Sequence, residues 1–264
     1  MSEIVRCIEF FSGIGGLHYA LNIARVNAEV ICAFDVNEIA NKVYAHNFKK
    51  EPSKKTIDRL TIQDIEKLKA QCWLLSPPCQ PYTQGGKMKD IDDPRAKPLI
   101  HLIELLPKLS TPPKYIFLEN VKNFDTSQSR DVLVKQLDKL DYEIHECLLS
   151  PTQFGIPNHR LRYYLAARRR DQPLIKENSD YTEKGVVHTT WPFHKENESA
   201  TMESPELSHF LETEANEDES FLVPAKYILK LHNFRLDIVR PEDRKTSCVT
   251  KAYGSHHIVT SGSV

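Results

Sequence analysis

Residues 4–35 constrain the fold more than any other stretch of the chain. Ile4 to Phe11 is a largely apolar run of strand length, Ser12-Gly13-Ile14-Gly15-Gly16 is a glycine turn, and helical spacing runs from Leu17 to about Arg25. A second strand, Glu29 to Phe34, ends in Asp35. Two strands joined by a glycine turn and a helix open a parallel sheet, because parallel neighbours need a crossover longer than a hairpin turn. The predicted class is α/β, a Rossmann-like sheet with helices on both faces. Glycine lets the backbone approach a ligand closely, and the amino terminus of the following helix directs free N–H groups toward it. Asp35 stands about 20 residues beyond the glycines, where nucleotide-binding folds place an acid for ribose hydroxyls. Capping the helix that begins near Asn37 is its competing role.

The alternation continues downstream. Thr61–Ala70 spaces Ile62, Ile65 and Leu68 along one face of a short helix, and Trp73-Leu74-Leu75 ends a buried strand. Pro98–Leu109 reads as a helix, Lys114–Leu118 as a strand running into Glu119-Asn120-Val121, Gln128–Leu140 as a helix and Tyr142–Leu149 as a strand. Gln84–Lys97 is polar, carries Gly85-Gly86 and has no sustained period; it reads as a mobile loop, able to close over a substrate or to lie idle on the surface. A further helix is expected over Ala225–Phe234, with Tyr227, Ile228, Leu231 and Phe234 on one side.

Between Leu75 and that loop lies Ser76-Pro77-Pro78-Cys79-Gln80-Pro81-Tyr82-Thr83. Three prolines lower the entropy of the loop before folding, so a thiol held here meets a substrate at a fixed angle. The competing role of such a cysteine is that of a small buried apolar residue. Open α/β sheets bind ligands outside the carboxyl ends of their strands, and Asp35, Cys79 and Glu119 all fall there. Capping and turn formation are the competing roles of Glu119 and Asn120. Arg160 and Arg162 stand two apart, so a strand would point both guanidinium groups to one face, an arrangement suited to a phosphate or a base oxygen. Arg168-Arg169-Arg170 reads as solvated surface.

Composition narrows the function classes. No run of about 18 apolar residues and no charged-then-apolar leader occurs, so neither a membrane span nor secretion is indicated, and a cytoplasmic, also nuclear, protein is expected. The 6 cysteines never form a CxxC pair, which points to free thiols and to no metal. The net charge of −1 conceals an asymmetry. Residues 171–220 hold 13 acidic residues and 3 lysines, leaving 32 basic against 23 acidic residues elsewhere. A basic body beside an acidic segment suits a polyanionic partner, with solvated surface charge as the plain alternative.

Phe10-Phe11-Ser12-Gly13-Ile14-Gly15-Gly16-Leu17, Pro77-Pro78-Cys79-Gln80, Glu119-Asn120-Val121 and the Arg160-x-Arg162 pair resemble, in this order, the motifs of the cytosine carbon-5 methyltransferases. The likeness covers nearly the whole chain. It implies S-adenosylmethionine as cofactor, held by Phe10, Ser12, Gly13, Ile14, Gly15, Gly16 and Leu17. Asp35 and Val36 would serve its ribose and Ile57 and Asp58 its adenine, with Ser76 and Pro78 closing the site. Cys79 would be the nucleophile, with Glu119, Arg160 and Arg162 its catalytic partners. Ser247-Cys248-Val249-Thr250-Lys251-Ala252-Tyr253-Gly254 is similar to a Cys-Phe-Thr-Lys-x-Tyr-Gly signature of one subfamily, with Val249 in the aromatic position. That subfamily is the tRNA aspartate cytosine-5 methyltransferases, historically called DNA methyltransferase 2. By this resemblance Cys248, Thr250, Lys251 and Tyr253, with Lys122, bind substrate.

The expected organisation is a cofactor-binding and catalytic domain over 1–170, an acidic disordered insert over 171–220 and part of a target-recognition domain over 221–264. Family members continue with an Asn-Ser pair and a final helix, so a fragment or a short form is expected, its activity open. The implied reaction is methyl transfer to carbon 5 of cytosine through a cysteine adduct, the base being flipped out or already unpaired. Resemblance favours cytosine 38 in the anticodon loop of aspartate tRNA, ahead of DNA. A monomer is expected. A catalytically silent nucleic-acid-binding fragment is the reading from another class. A small-molecule methyltransferase would leave the Cys79 loop and the arginines without a role.

Overall fold

The structure, a computed structural model, describes residues 3–83, 89–170, 185–191, 202–212 and 237–248. The chain divides into two compact units. One is Met1–Cys147 with Arg162–His188; the other is Leu148–Leu161 with Thr189–Val264.

The first unit is built on a sheet of seven strands. In chain order they are β1 (Val5–Phe10), β2 (Ala28–Phe34), β3 (Cys72–Leu75), β4 (Tyr115–Val121), β5 (Tyr142–Leu149), β7 (Arg162–Arg169) and β8 (Val187–His188). Their spatial order is β2-β1-β3-β4-β7-β5-β8. The pairs β1–β2, β1–β3 and β3–β4 are parallel, whereas β7 runs antiparallel to β4. Helices α1 (Gly16–Ile23), α2 (Glu38–Phe48), α3 (Ile62–Glu66), α4 (Lys97–Leu105) and α5 (Gln128–Lys139) accompany the strands. This is the α/β class that the alternating pattern predicts.

Apolar strands meet apolar helix faces in the core. Phe10 stacks on Phe34 and meets Trp73 edge-on, with centroids 5.5 and 5.2 Å apart. Leu99, Leu102 and Ile103 of α4 and Leu133 and Leu137 of α5 are buried. Each such side chain contributes about 1.5–3 kcal/mol relative to exposure, which is why tertiary packing holds these short helices. Local chemistry sets their ends. Asn37 caps α2, Thr61 and Asp64 form a capping box on α3, and Ser127 caps α5.

Several boundaries differ from expectation for local reasons. α4 stops at Leu105 rather than reaching Leu109, because Pro107 lacks an N–H and its ring crowds the preceding turn; a 3-10 turn follows over Leu106–Lys108. α3 ends at Glu66 rather than Ala70, its last turn tightening until Lys69 takes φ 49°. β4, by contrast, ends in Glu119, Asn120 and Val121 as the sequence pattern implies. Of the expected loop over 84–97, residues 89–96 are built of turns and Lys97 opens α4, and Asp90 accepts hydrogen bonds from the N–H groups of Gln128 and Ser129. Within 171–220, Val187–His188 pairs with β5 and Leu207 is buried.

The second unit holds a parallel pair, β6 (Asn158–His159) and β9 (Thr246–Ser247). Arg160 and Leu161 belong to no strand, and β7 begins at Arg162. The two arginines therefore do not share a strand face as their spacing implies; Arg160 lies in the second unit and Arg162 in the first. The expected helix over Ala225–Phe234, and Thr250, Lys251 and Tyr253, lie outside the described residues. Among the described residues no helix is long and apolar enough to cross a membrane, and no cluster of acidic, cysteine and histidine side chains could hold a metal ion.

Candidate active site

The carboxyl ends of four parallel strands lie side by side. Phe10 is level with Phe34 on one flank and Leu75 on the other, and Leu75 is level with Leu118. Beyond these ends the Ser12 N–H donates to Phe34 O at 3.1 Å and the Ser76 N–H to Phe10 O at 3.3 Å. The glycine turn, Asp35, the Cys79 turn and Glu119 thus sprout from one edge of the sheet.

In the glycine turn, Gly15 takes φ 91°, and a Cβ there would sit 2.2 Å from the Phe48 ring, so a larger residue fits neither backbone nor space. At Gly16, the first residue of α1, a Cβ would meet nothing within 4 Å. The Gly13 N–H donates to Asp35 Oδ2 and the Asn37 N–H to Asp35 Oδ1, each at 2.8 Å. Asp35 does not cap α2; that role falls to Asn37, whose Oδ1 accepts from the Ile39 and Ala40 N–H groups.

Three residues outside the expected set hold this turn from behind. α1 has no capping side chain of its own, and Glu9 supplies one from β1: its Oε1 accepts the His18 N–H at 3.2 Å. Glu9 Oε2 accepts the Tyr44 hydroxyl at 3.0 Å, and His18 Nδ1 lies 2.8 Å from the same hydroxyl. The His18 ring stacks at 3.8 Å on Phe48, the ring that excludes a Cβ at Gly15. Burial pushes the Glu9 carboxyl up to about 7, with the Tyr44 and His18 hydrogen bonds opposing it. Burial also lowers His18 and raises Tyr44. The sequence signal was an acid inside the apolar strand Cys7-Ile8-Glu9-Phe10.

Cys79, half-buried, opens the 3-10 turn Gln80–Tyr82. Two asparagines from the end of β4 and the turn after it grip this loop. Asn120 Nδ2 donates to Pro77 O and Asn123 Nδ2 to Tyr82 O, both at 3.1 Å. The Tyr82 ring is buried edge-on against Phe124, and burial pushes its hydroxyl up to about 12. Glu119 pairs with Arg162, Nε to Oε1 3.4 Å. Arg95, clamped by Asp93 through Nε at 2.9 Å and Nη2 at 2.7 Å, is raised chiefly by those bonds and more weakly by Cys79. It is a cation near the thiol that sequence reading did not single out.

The other expected residues divide by orientation. Phe10 and Ile57 turn their side chains into the core, and Leu17 packs against the Cys7 and Val30 cluster. Ile14 and Val36 are exposed, at 60% and 63%, and Asp58 and Lys122 are also exposed. Ser76 and Pro78 are half-buried at the root of the Cys79 turn. Cys248 meets Arg160 at 2.7 Å within the second unit.

An adenosyl cofactor fits the residues present. The buried Ser12 Oγ has no hydrogen-bond partner, and so does Thr56 Oγ1, just before Ile57. Asp35 has used one lone pair on each oxygen and keeps others for ribose hydroxyls. Open space lies beside Gly16, and Ile14 and Val36 offer apolar surface.

Comparison with known proteins agrees with this geometry. The family model described as C-5 cytosine-specific DNA methylase matches residues 5–254. The human tRNA (cytosine(38)-C(5))-methyltransferase is 34% identical over 99% of this chain and 78% of its own length. The structure of the Entamoeba histolytica methyltransferase EhMeth superposes with a TM-score of 0.80 at 38% identity, over 99% of this chain and 75% of that one. That of Schizosaccharomyces pombe Dnmt2 gives 0.78 at 31% identity, over 98% and 74%. With a matching family model from the first strand to Gly254 and a glycine turn, cysteine turn and glutamate on one sheet edge, this chain belongs to the C-5 cytosine-specific DNA methylases, the cytosine-5 methyltransferases.

Proposed function

We propose that the protein methylates carbon 5 of an unpaired cytosine in tRNA, the anticodon-loop cytosine 38 of aspartate tRNA being the favoured target. The observation that carries this reading is the anchoring of the Cys79 turn by Asn120 beside Glu119, at the carboxyl ends of β3 and β4. The cofactor, S-adenosylmethionine, supplies an electrophilic methyl group. Ser12, Gly13, Ile14, Gly15, Gly16 and Asp35 would hold it, with Val36, Asp58 and Ser76 around them.

In the proposed chemistry the Cys79 thiolate adds to carbon 6 of cytosine, which makes carbon 5 nucleophilic. After the methyl group is accepted there, loss of the carbon-5 proton breaks the carbon–sulfur bond and frees the thiol. Glu119 holds ring nitrogen 3 protonated, drawing electrons toward the base, and Arg162 keeps the Glu119 carboxylate oriented. Arg160 binds the base oxygen or a neighbouring phosphate. An anticodon loop presents its base without the unstacking that a duplex demands, which supports RNA over DNA. The description of the matching family as DNA methylases favours DNA as the second reading.

The test is methyl transfer from labelled S-adenosylmethionine, offered with total tRNA and with unmethylated DNA. Label in tRNA alone is expected. Label in DNA alone replaces the substrate, and label in neither removes the reading.

A further inference from the structure

Arg160 and Cys248 are 88 residues apart in sequence, yet Arg160 Nη1 lies 2.7 Å from Cys248 Sγ. Strand register brings them together. β6 and β9 pair in parallel, Asn158 level with Thr246 and His159 with Ser247, so the first residues beyond the two strand ends are Arg160 and Cys248. The register is pinned from both sides. Thr246 donates to Pro157 O through its N–H and its hydroxyl, each at 2.9 Å, and Asn158 Nδ2 donates to Thr246 Oγ1. The Ser247 N–H donates to Asp237 Oδ2 and the Arg160 N–H to the buried Ser150 hydroxyl. With both backbones held, the side-chain contact follows from the pairing.

We propose that Cys248 is a positioning residue that orients the Arg160 guanidinium toward the substrate, rather than a ligand of the substrate itself. This rests on the reading of the chain as a nucleic-acid cytosine methyltransferase. Arginine has among the largest rotamer freedoms of any side chain, and holding one nitrogen narrows the orientations open to the planar fork. The guanidinium carries five donors, so four stay available for an oxygen of the base or a phosphate. A carboxylate in place of Cys248 would also hold the fork but would set a full negative charge against an anionic substrate. Sulfur, a weak acceptor, orients the group and leaves its charge to the substrate. Similarity to a subfamily signature marks Cys248 as substrate-binding; the register assigns it to Arg160.

The experiment uses the whole chain and measures kcat and KM for tRNA methylation, with thermal midpoints, in wild type, Cys248→Ala, Cys248→Val, Cys248→Ser and Arg160→Ala, and in the Cys248→Ala/Arg160→Ala pair. Cys248→Ala lowers kcat/KM for RNA about tenfold while KM for S-adenosylmethionine stays put, since a loosened guanidinium is misplaced without touching the cofactor. Cys248→Val, which fills the volume without an acceptor, does the same if alanine unfolds the unit, and Cys248→Ser restores most of the loss. In the Arg160→Ala background the alanine at 248 has no further effect on kcat/KM. An active wild type whose Cys248→Ala and Cys248→Val variants match it overturns the inference alone, as does a full loss at 248 without Arg160. A wild type that methylates neither RNA nor DNA overturns the proposed function and this inference with it.

Discussion

Arg162 lies diagonally across the β4–β7 ladder from Glu119, its Nε 3.4 Å from Glu119 Oε1. Register produces the pairing: Glu119 is level with Tyr164 and Val121 with Arg162, so the two charged side chains share a face. If Glu119 holds the ring nitrogen of cytosine, Glu119→Gln lowers kcat for methyl transfer about 10²–10⁴-fold. Single-turnover kinetics with tRNA checks this, and a loss under tenfold contradicts the role.

Asn120 ties the Cys79 turn to β4 by its bond to Pro77 O. Asn120→Ala leaves a buried carbonyl without its donor and costs about 1–3 kcal/mol, read in denaturant unfolding. Methyl transfer is expected to fall further than stability accounts for, because the thiol loses its anchoring. Equal activity at full folding contradicts this.

The glycines at 15 and 16 are expected to behave oppositely. Gly15→Ala forces a left-handed residue against Phe48 and destabilises the fold by about 2 kcal/mol or more. Gly16→Ala, in open space at the head of α1, leaves the thermal midpoint unchanged or slightly raised. It nevertheless weakens S-adenosylmethionine binding at least about tenfold, since the added methyl group enters the proposed cofactor space. Calorimetric titration of the cofactor decides; unaltered affinity in Gly16→Ala places the cofactor elsewhere.

Glu9 makes stability depend on pH. Its folded value is raised to about 7, so the folded state holds a proton that the unfolded chain releases near the ordinary carboxyl value. The stability tied to that proton is present at low pH and is lost as pH rises through about 7. Glu9→Gln removes the dependence, and the variant therefore gains on wild type between about pH 4.5 and 7, by at most about 3 kcal/mol. Unfolding of both proteins across that range checks the sign; a constant difference contradicts it.

Much of the fold was legible in the sequence because strand and helix periods alternate cleanly from Ile4 to Leu149. Asp35, Glu119 and the Cys79 turn were placed on the sheet edge by the rule that sites lie beyond strand carboxyl ends. What periodicity could not carry was side-chain partnership across distant residues. The sequence offered Asp35 as a cap of the helix beginning near Asn37, and only the backbone path makes Asn37 itself the cap. The spacing of Arg160 and Arg162 implied one strand face, but a break in strand structure at Arg160 and Leu161 parts them. The Glu9–Tyr44–His18 group spans 35 residues and three elements, so no local pattern announces it. The Arg160–Cys248 contact depends on a strand pairing of two residues a side, too short for any periodic signal.

The central claim, that Cys79 attacks an unpaired cytosine in RNA, is tested most directly by trapping the adduct. An anticodon stem-loop carrying 5-fluorocytosine at the target accepts a methyl group but has no carbon-5 proton to lose, so the carbon–sulfur bond persists. With S-adenosylmethionine present, wild type is expected to form a denaturant-stable complex whose cross-linked peptide contains Cys79, and Cys79→Ala none. Absence of the complex with wild type, or a cross-link at any other residue, would contradict the account.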